Sequence, residues 1–166
     1  MHSFSFTAHA TGTNQNQALD TLTDYPRYPQ YTDTIQHVQI LPNKPDQPDQ
    51  PDEPGRPGGP DGPLRSRWAL AVHGGLMHCT LSTRINRHTA VITFEQEEGD
   101  LDVLRGQWHL SPTQNGIHIA LQAQFDVGIP VIADILEPIA CHMLTKNIES
   151  ILRGLFGHQH IHTHQT

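Results

Sequence analysis

One basic side chain in the middle of the chain could support chemistry on a negatively charged oxygen. Arg84 lies in residues 76–86, LMHCTLSTRIN, whose composition predicts a β-strand. Because side chains alternate between the two faces of a strand, Thr80, Ser82 and Arg84 share one face, and we predict that this face points inward. A fixed guanidinium there could stabilise charge on an enolate oxygen. The alternative is an arginine at the mouth of a sheet that pairs with a carboxylate.

Aromatic residues form a second group of candidates. Tyr25, Tyr28 and Tyr31 lie in DYPRYPQY, where two X-Pro steps predict a short irregular helix or turn. Phenols can act as weak acids toward a ketone oxygen, so Tyr25 and Tyr28 are predicted catalytic residues. The alternative for them is structural packing against a helix end. Trp108 lies on an apolar strand face, which makes it a core residue or part of a cavity wall, and it is a predicted ligand contact.

Two elements provide the apolar surface that such a site needs. Residues 130–156 have apolar side chains at helical spacing, which predicts a long amphipathic helix. Met143 and Asn147 fall on its apolar side, so Asn147 could bind a ligand carbonyl or be satisfied within the core. Residues 116–127 alternate between apolar and polar side chains, as in a half-buried strand, and Leu121 is on the apolar face. We predict that Leu121, Met143 and Asn147 contact a ligand.

Composition excludes several classes of function. The 166 residues carry a net charge of −7, which argues against nucleic acid and anionic membranes as partners. No apolar run reaches the roughly 18 residues of a membrane span, and the N-terminus does not resemble a secretion signal. The 2 cysteines fit a reduced, cytoplasmic protein. No zinc-finger spacing, phosphate-binding loop or dinucleotide fingerprint is visible, so no metal and no cofactor are expected. A monomer or a homodimer is expected.

The remaining patterns predict an α+β domain at residues 1–157. Two short helical segments should follow the first strand, the second of them in the tyrosine-rich stretch. Proline recurs at every third residue through 42–63, which predicts a polyproline insertion that is either a tolerated loop or a docking rod. The histidine-containing tail, 158–166, should be disordered, with loose metal binding as the alternative. Seven strands are expected, at residues 2–9, 34–41, 64–73, 76–86, 89–97, 101–110 and 116–127.

Several motifs occur in an order that resembles a known superfamily. They are Ala18-Leu19-X-X-Leu22-X-Asp24-Tyr25-X-X-Tyr28-Pro29, Val38-Gln39-Ile40-Leu41, Ser82-X-Arg84-Ile85, and Glu98-Gly99-Asp100 followed by Leu104-X-Gly106-X-Trp108-X-Leu110. With the long final helix, they resemble the START/Bet v 1-like (SRPBCC, helix-grip) superfamily, in particular its polyketide cyclase/dehydrase and coenzyme Q-binding START-like group. The resemblance implies a curved seven-stranded antiparallel sheet wrapped around the C-terminal helix, with an apolar cavity between them.

The resemblance also implies two classes of function. In aromatase/cyclases of this superfamily a Ser-X-Arg step points into the pocket, and Ser82-Thr83-Arg84 matches it, although Thr80 stands where those cyclases carry a tryptophan. The chain would then be a cofactor-independent polyketide cyclase/dehydratase of specialised metabolism, with Arg84 stabilising an enolate. The alternative is a non-catalytic carrier or chaperone for a quinone, a lipid or a similar hydrophobic metabolite. Polar groups converging deep in the cavity would favour catalysis, and an almost wholly apolar cavity would favour carriage.

Overall fold

The strands that the structure describes all belong to one sheet. The computed structural model describes residues 2–42, 63–72, 75–126 and 130–163, so most of the proline-rich insertion (43–62) lies outside the described residues. Within these ranges there are two α-helices, α1 (Gln15–Leu22) and α2 (Pro130–Phe156), and one 3₁₀ helix (Tyr25–Gln30). The strands are β1 (His2–Thr11), β2 (Ile35–Leu41), β3 (Leu64–Val72), β4 (Gly75–Asn86), β5 (Val91–Gly99), β6 (Val103–Pro112), β7 (Gly116–Asp126) and β8 (Ile161–Thr163).

The sheet is antiparallel, and its strand order brings the two ends of the chain together. The strand order is β2-β3-β4-β5-β6-β7-β1-β8, so the N-terminal strand pairs with the last long strand. Helix α2 packs on one face, which we call the inner face, where Leu152 joins a core containing Phe6 and Leu121. This architecture confirms the predicted α+β helix-grip fold. None of the helices in the described ranges is both long and apolar enough to cross a membrane.

Local sequence signals account for the short helices. The side chain of Asn14 accepts a hydrogen bond from the Gln17 backbone N–H at 3.0 Å and so caps the first turn of α1. Three apolar residues of α1 are buried, which attaches it to the core. Pro26 stands at the start of the 3₁₀ helix, where a missing backbone donor is tolerated. Both helical segments predicted after the first strand are therefore present.

The C-terminal tail departs from the prediction. Strand β8 pairs with β1 and adds an eighth strand to the sheet, so residues 158–163 are not the disordered tail that the sequence predicted. Gly157 has φ +96 and reverses the chain after α2, a conformation that suits glycine. Ile161 is 2% exposed and belongs to the main core, so burial of this side chain stabilises the short strand.

Candidate functional site

The inner face of the sheet carries two apolar clusters that meet beneath α2. The larger extends over β1, β5, β6 and β7, and the smaller joins β2, β3 and β4 to the 3₁₀ helix. Leu152 of α2 belongs to the larger cluster and Ile151 to the smaller. Leu104 packs against both. The inner face beneath α2 is thus an apolar surface to which both clusters contribute.

Three aromatic rings close one side of this surface. Tyr25 and Tyr28 of the 3₁₀ helix face Trp68 of β3, and every pair among the three is arranged edge to face. The ring centroids are 5.1 to 5.5 Å apart. Such pairs stabilise a core by about 0.5–1.5 kcal/mol beyond the area that they bury. The 3₁₀ helix is therefore a packed wall of the site, although it has only six residues.

The polar atoms of these rings are satisfied by neutral partners. Tyr25 Oη lies 3.2 Å from Thr83 Oγ1. The Tyr28 hydroxyl donates to the Leu22 carbonyl, and Trp68 Nε1 donates to Ser66 Oγ at 2.8 Å. Buried polar groups that find partners in this way can lie beneath an apolar surface without a large desolvation penalty.

Burial also keeps the titratable groups of this region neutral. It raises the pKa of Tyr25 to about 12, against a smaller opposing effect of the Thr83 hydrogen bond. Burial raises the pKa of Tyr28 well above its ordinary value, and Tyr25 and Asp24 add to the effect. Burial, with a contribution from Asp100, likewise raises the pKa of Cys79 to about 11. At neutral pH all three are protonated, so they are hydrogen-bond donors and not nucleophiles or bases.

One buried acceptor on the inner face has no hydrogen-bond partner in the part of the chain that the structure describes. Gln96 of β5 is the register partner of Leu81, a buried residue of the smaller cluster, and therefore shares its face. Gln96 Nε2 donates to the Leu101 carbonyl at 2.7 Å, whereas Gln96 Oε1 is buried with no hydrogen-bond partner among the described residues. A Cβ atom on Gly99 would stand 2.5 Å from Gln96 Oε1, so only a glycine leaves room for the amide there. An amide oxygen in this state can accept from a bound molecule.

Two contacts attach the 3₁₀ helix region to α2. Thr32 Oγ1 donates to Asn147 Oδ1 at 2.6 Å, and the Tyr31 ring lies so close against Gly154 that a Cβ atom there would clash with Tyr31 Cδ1. Asn147 is half-buried and its carbonyl oxygen already has a protein donor. Its position matches the alternative in which Asn147 is satisfied within the protein.

Arg84 lies on the other face of the sheet. Its neighbour Thr83 is fully buried and bonded to Tyr25, whereas Arg84 is exposed. The expectation that Ser82 and Arg84 face inward is therefore wrong, because the inner positions are Leu81, Thr83 and Ile85. A ligand on the inner face would not meet the Arg84 guanidinium.

The other predicted residues divide between the two faces. Thr80 is buried but pairs with Arg67 and Glu98, on the outer side of the sheet with Ser82. Trp108 and Leu121 are register partners in the larger inner cluster. Met143 is half-buried on α2. The structure thus brings Tyr25, Tyr28, Trp108 and Leu121 to the inner face and leaves Thr80, Ser82 and Arg84 outside it.

Sequence reasoning missed the polar residues that do face inward. These are Ser66, Thr83 and Gln96. A signal for Thr83 was present, since Leu81 and Ile85 are the apolar residues two positions before and after it on a period-2 strand. A weaker signal marks Gln96, which continues the period-2 series of Ile92 and Phe94.

Two open grooves elsewhere on the described surface do not suit an apolar ligand. One lies at the start of α1 beside the β6–β7 turn, and the other lies between α1 and His160. Their linings consist mainly of polar side chains and backbone. Neither borders the aromatic wall.

Comparison with known proteins identifies the family. The family model described as "Polyketide cyclase / dehydrase and lipid transport" matches residues 13–152, which is most of the chain. The chain belongs to this family. The match confirms the superfamily that the order of the sequence motifs predicted. A search of curated protein sequences finds no match.

Solved structures support the fold of this family member. TTHA0849 from Thermus thermophilus is 17% identical, with a TM-score of 0.72 over 93% of this chain and 94% of that chain. A START superfamily protein from Mycobacterium smegmatis is 15% identical, with a TM-score of 0.70 over 96% of this chain and 99% of that one. The Zhui aromatase/cyclase from Streptomyces sp. R1128 is 14% identical, with a TM-score of 0.58 over 92% and 96%. The TM-scores show that the three proteins share the fold of this chain, and identities this low support no conclusion beyond the fold.

Proposed function

We propose that the protein binds an uncharged, largely apolar small molecule between the inner face of the sheet and α2, as a carrier or chaperone. The observation that carries this proposal is Gln96 Oε1, a buried acceptor without a described partner on an apolar face. A ligand with a hydroxyl or N–H group would satisfy it. The family description, which includes lipid transport, agrees with an apolar ligand.

The character of the inner polar groups supports binding without chemistry. Apart from the tyrosines, the buried polar groups that face inward among the described residues belong to Ser66, Thr83 and Gln96, none of which is charged. The raised pKa values of Tyr25 and Tyr28 keep both phenols protonated at neutral pH. A neutral face of this kind favours an uncharged ligand, because an ion would lose its hydration without gaining a counter-charge.

A catalytic role as a polyketide cyclase/dehydratase is the second candidate, and the Tyr25–Thr83 hydroxyl pair is what favours it. Tyr25 could donate a hydrogen bond to a ketone oxygen and so polarise it. Arg84 would contribute only if the substrate reached the outer face. Incubation with a poly-β-ketone thioester, followed by mass spectrometry, tests this role. Loss of water from the substrate that depends on Tyr25 would support catalysis over carriage.

The carrier proposal is tested with two probes that differ in one donor, 2-naphthol and 2-methoxynaphthalene. If the naphthol hydroxyl donates to Gln96 Oε1, the bond is worth about 0.5–1.5 kcal/mol, or roughly 2- to 12-fold in Kd. In Gln96→Met the acceptor is lost and this difference should disappear. Calorimetric Kd values for both probes and both proteins give the comparison.

Gln122→Met is the matched control. Gln122 is exposed on β7, on the face opposite its buried neighbour Leu121, so its replacement should leave the probe preference unchanged. Thermal melting checks that Gln96→Met is folded, since that variant also loses the bond to the Leu101 carbonyl. An unchanged naphthol preference in folded Gln96→Met would contradict the proposed role of Gln96.

A further inference from the structure

The register of three neighbouring strands aligns three histidines. His162 of β8 is the partner of His9 of β1, and His9 is in turn the partner of His118 of β7. We propose that these three residues, the histidine row, bind one divalent transition-metal ion of the zinc class. The sequence alone predicted that His162 lies in a disordered tail, where its position would not be fixed. The pairing of β8 with β1 fixes it beside His9.

All three side chains are on the outer face of the sheet. His9 and His118 are flanked on both sides, and His162 on its N-terminal side, by buried residues of the inner core, which places the histidines on the opposite face. His9 and His118 are half-buried, and His162 is exposed. The row is therefore accessible to an ion from solvent and is separate from the proposed ligand-binding face. The flanking residues are Ala8, Ala10, Ile117, Ile119 and Ile161.

The spacing fits a single ion. Residues directly opposite each other in an antiparallel pair have Cβ atoms about 4.5–5.5 Å apart. Imidazole nitrogens bind zinc at about 2.0–2.1 Å. The rings of the two outer strands can lean toward His9 on the middle strand, so that all three reach one ion. Imidazole ligands suit zinc, copper and nickel, and a water molecule would complete a four-coordinate site.

A neighbouring hydroxyl orients the central ring. His9 Nε2 lies 2.8 Å from Thr113 Oγ1. When the imidazole N–H donates to this hydroxyl, Nδ1 keeps its lone pair for a metal, the usual arrangement for a histidine ligand with an outer partner. The described residues contain no set of three metal-binding side chains already gathered around one point, so the rings must turn. His162 is exposed, and exposed side chains change rotamer within nanoseconds.

The ion would connect the last described strand to the body of the sheet. Strand β8 has three residues, and within the described ranges β1 is its one partner strand. Ligands on β8, β1 and β7 would add a cross-link over both neighbouring strands. Metal binding to the folded state alone would also raise the melting temperature.

Calorimetric titration of the full chain with ZnCl₂ tests the proposal. We expect one ion per chain, and a Kd weakened on the order of 10- to 100-fold in His118→Gln and in His162→Gln. His142→Gln is the control, because His142 is exposed on α2, which packs on the inner face of the sheet, and it should leave the Kd unchanged. Melting in EDTA should be alike for all four proteins, which shows that the variants are folded.

The competing explanation is a flexible tail that chelates zinc by itself. A variant with His158→Gln and His160→Gln separates the two, because neither residue belongs to the row. Zinc binding that survives His118→Gln but is lost in the His158/His160 variant would overturn the proposal. The absence of one-to-one binding to the wild-type chain would overturn it as well.

Discussion

The hydrogen bond between Tyr25 and Thr83 allows a quantitative test of how the inner face is held together. The two hydroxyl oxygens are 3.2 Å apart, and the residues are 4% and 0% exposed. Tyr25→Phe keeps the ring in contact with Trp68 but leaves the Thr83 hydroxyl buried without a partner. This change should lower the free energy of unfolding by about 1–3 kcal/mol. Thr83→Val leaves the Tyr25 hydroxyl in the same state and should have an effect of similar size.

The double variant distinguishes the lost bond from general damage. With both hydroxyls replaced by apolar groups of nearly the same shape, no polar group is left unsatisfied, and the change can be nearly neutral. We therefore expect the double variant to lose less stability than the sum of the single variants, with a coupling free energy of about 0.5–3 kcal/mol. Equilibrium unfolding in urea, followed by tryptophan fluorescence, measures all four free energies.

Tyr31→Phe serves as the control for removal of a tyrosine hydroxyl. Tyr31 is half-buried and its hydroxyl accepts from Arg27 Nη2 at 2.7 Å, so its loss should change stability by about 0.5 kcal/mol or less. Additive effects of the two core variants would refute the account. Single variants no more costly than Tyr31→Phe would refute it equally.

Three further changes test other parts of the structure. Gly154→Ala should destabilise the fold by about 1–3 kcal/mol through its clash with Tyr31, and in a Tyr31→Ala background it should instead stabilise by up to about 1 kcal/mol, as urea unfolding would show. Asn147→Ala removes the acceptor of Thr32 and should lower stability by about 1 kcal/mol in the same assay. The pKa of Tyr25 is raised to about 12 in the folded protein, against about 10 in the unfolded chain. The protonated Tyr25 hydroxyl therefore stabilises the folded state fully below about pH 10, and this stabilisation is lost as pH rises toward about 12. Unfolding free energies measured from pH 9 to 12 should fall in the wild type and fall less steeply in Tyr25→Phe.

Most of the fold could be predicted because the periodic patterns are strong. The alternation in residues 116–127 and the helical spacing in 130–156 each identify one element and its apolar side. The observed bounds, Gly116–Asp126 and Pro130–Phe156, follow them closely. Asn14 caps α1, and asparagine is one of the residue types preferred at that position. Each of these features is determined by residues close together in the chain, so it can be predicted from the sequence.

The site was predicted less well because the prediction chose the wrong face of strand β4 as the one that points toward the core. A shift of one position on a period-2 strand exchanges its two faces, and this exchange turned Arg84 inward in the prediction. The pairing of β4 with β5 is irregular at Thr80 and Leu81, where β5 advances by two residues, from Glu98 to Gln96; the extra residue belongs to β5, and the alternation along β4 is kept. The contact of Asn147 with Thr32 joins residues 115 positions apart, and no local pattern reveals it. The pairing of β8 with β1 depends on a similarly distant contact.

The place at which the protein holds a small molecule is the central claim, and nuclear Overhauser effects between bound 2-naphthol and methyl groups test it most directly. Leu81 and Ile151 belong to the smaller inner cluster and Leu104 packs against it, and Leu81 is the register partner of Gln96, so their methyl groups should show contacts to the naphthol ring. Ile40 and Leu76 are exposed apolar residues and should show none. Contacts confined to Ile40 or Leu76, with none at the inner methyl groups, would contradict the account.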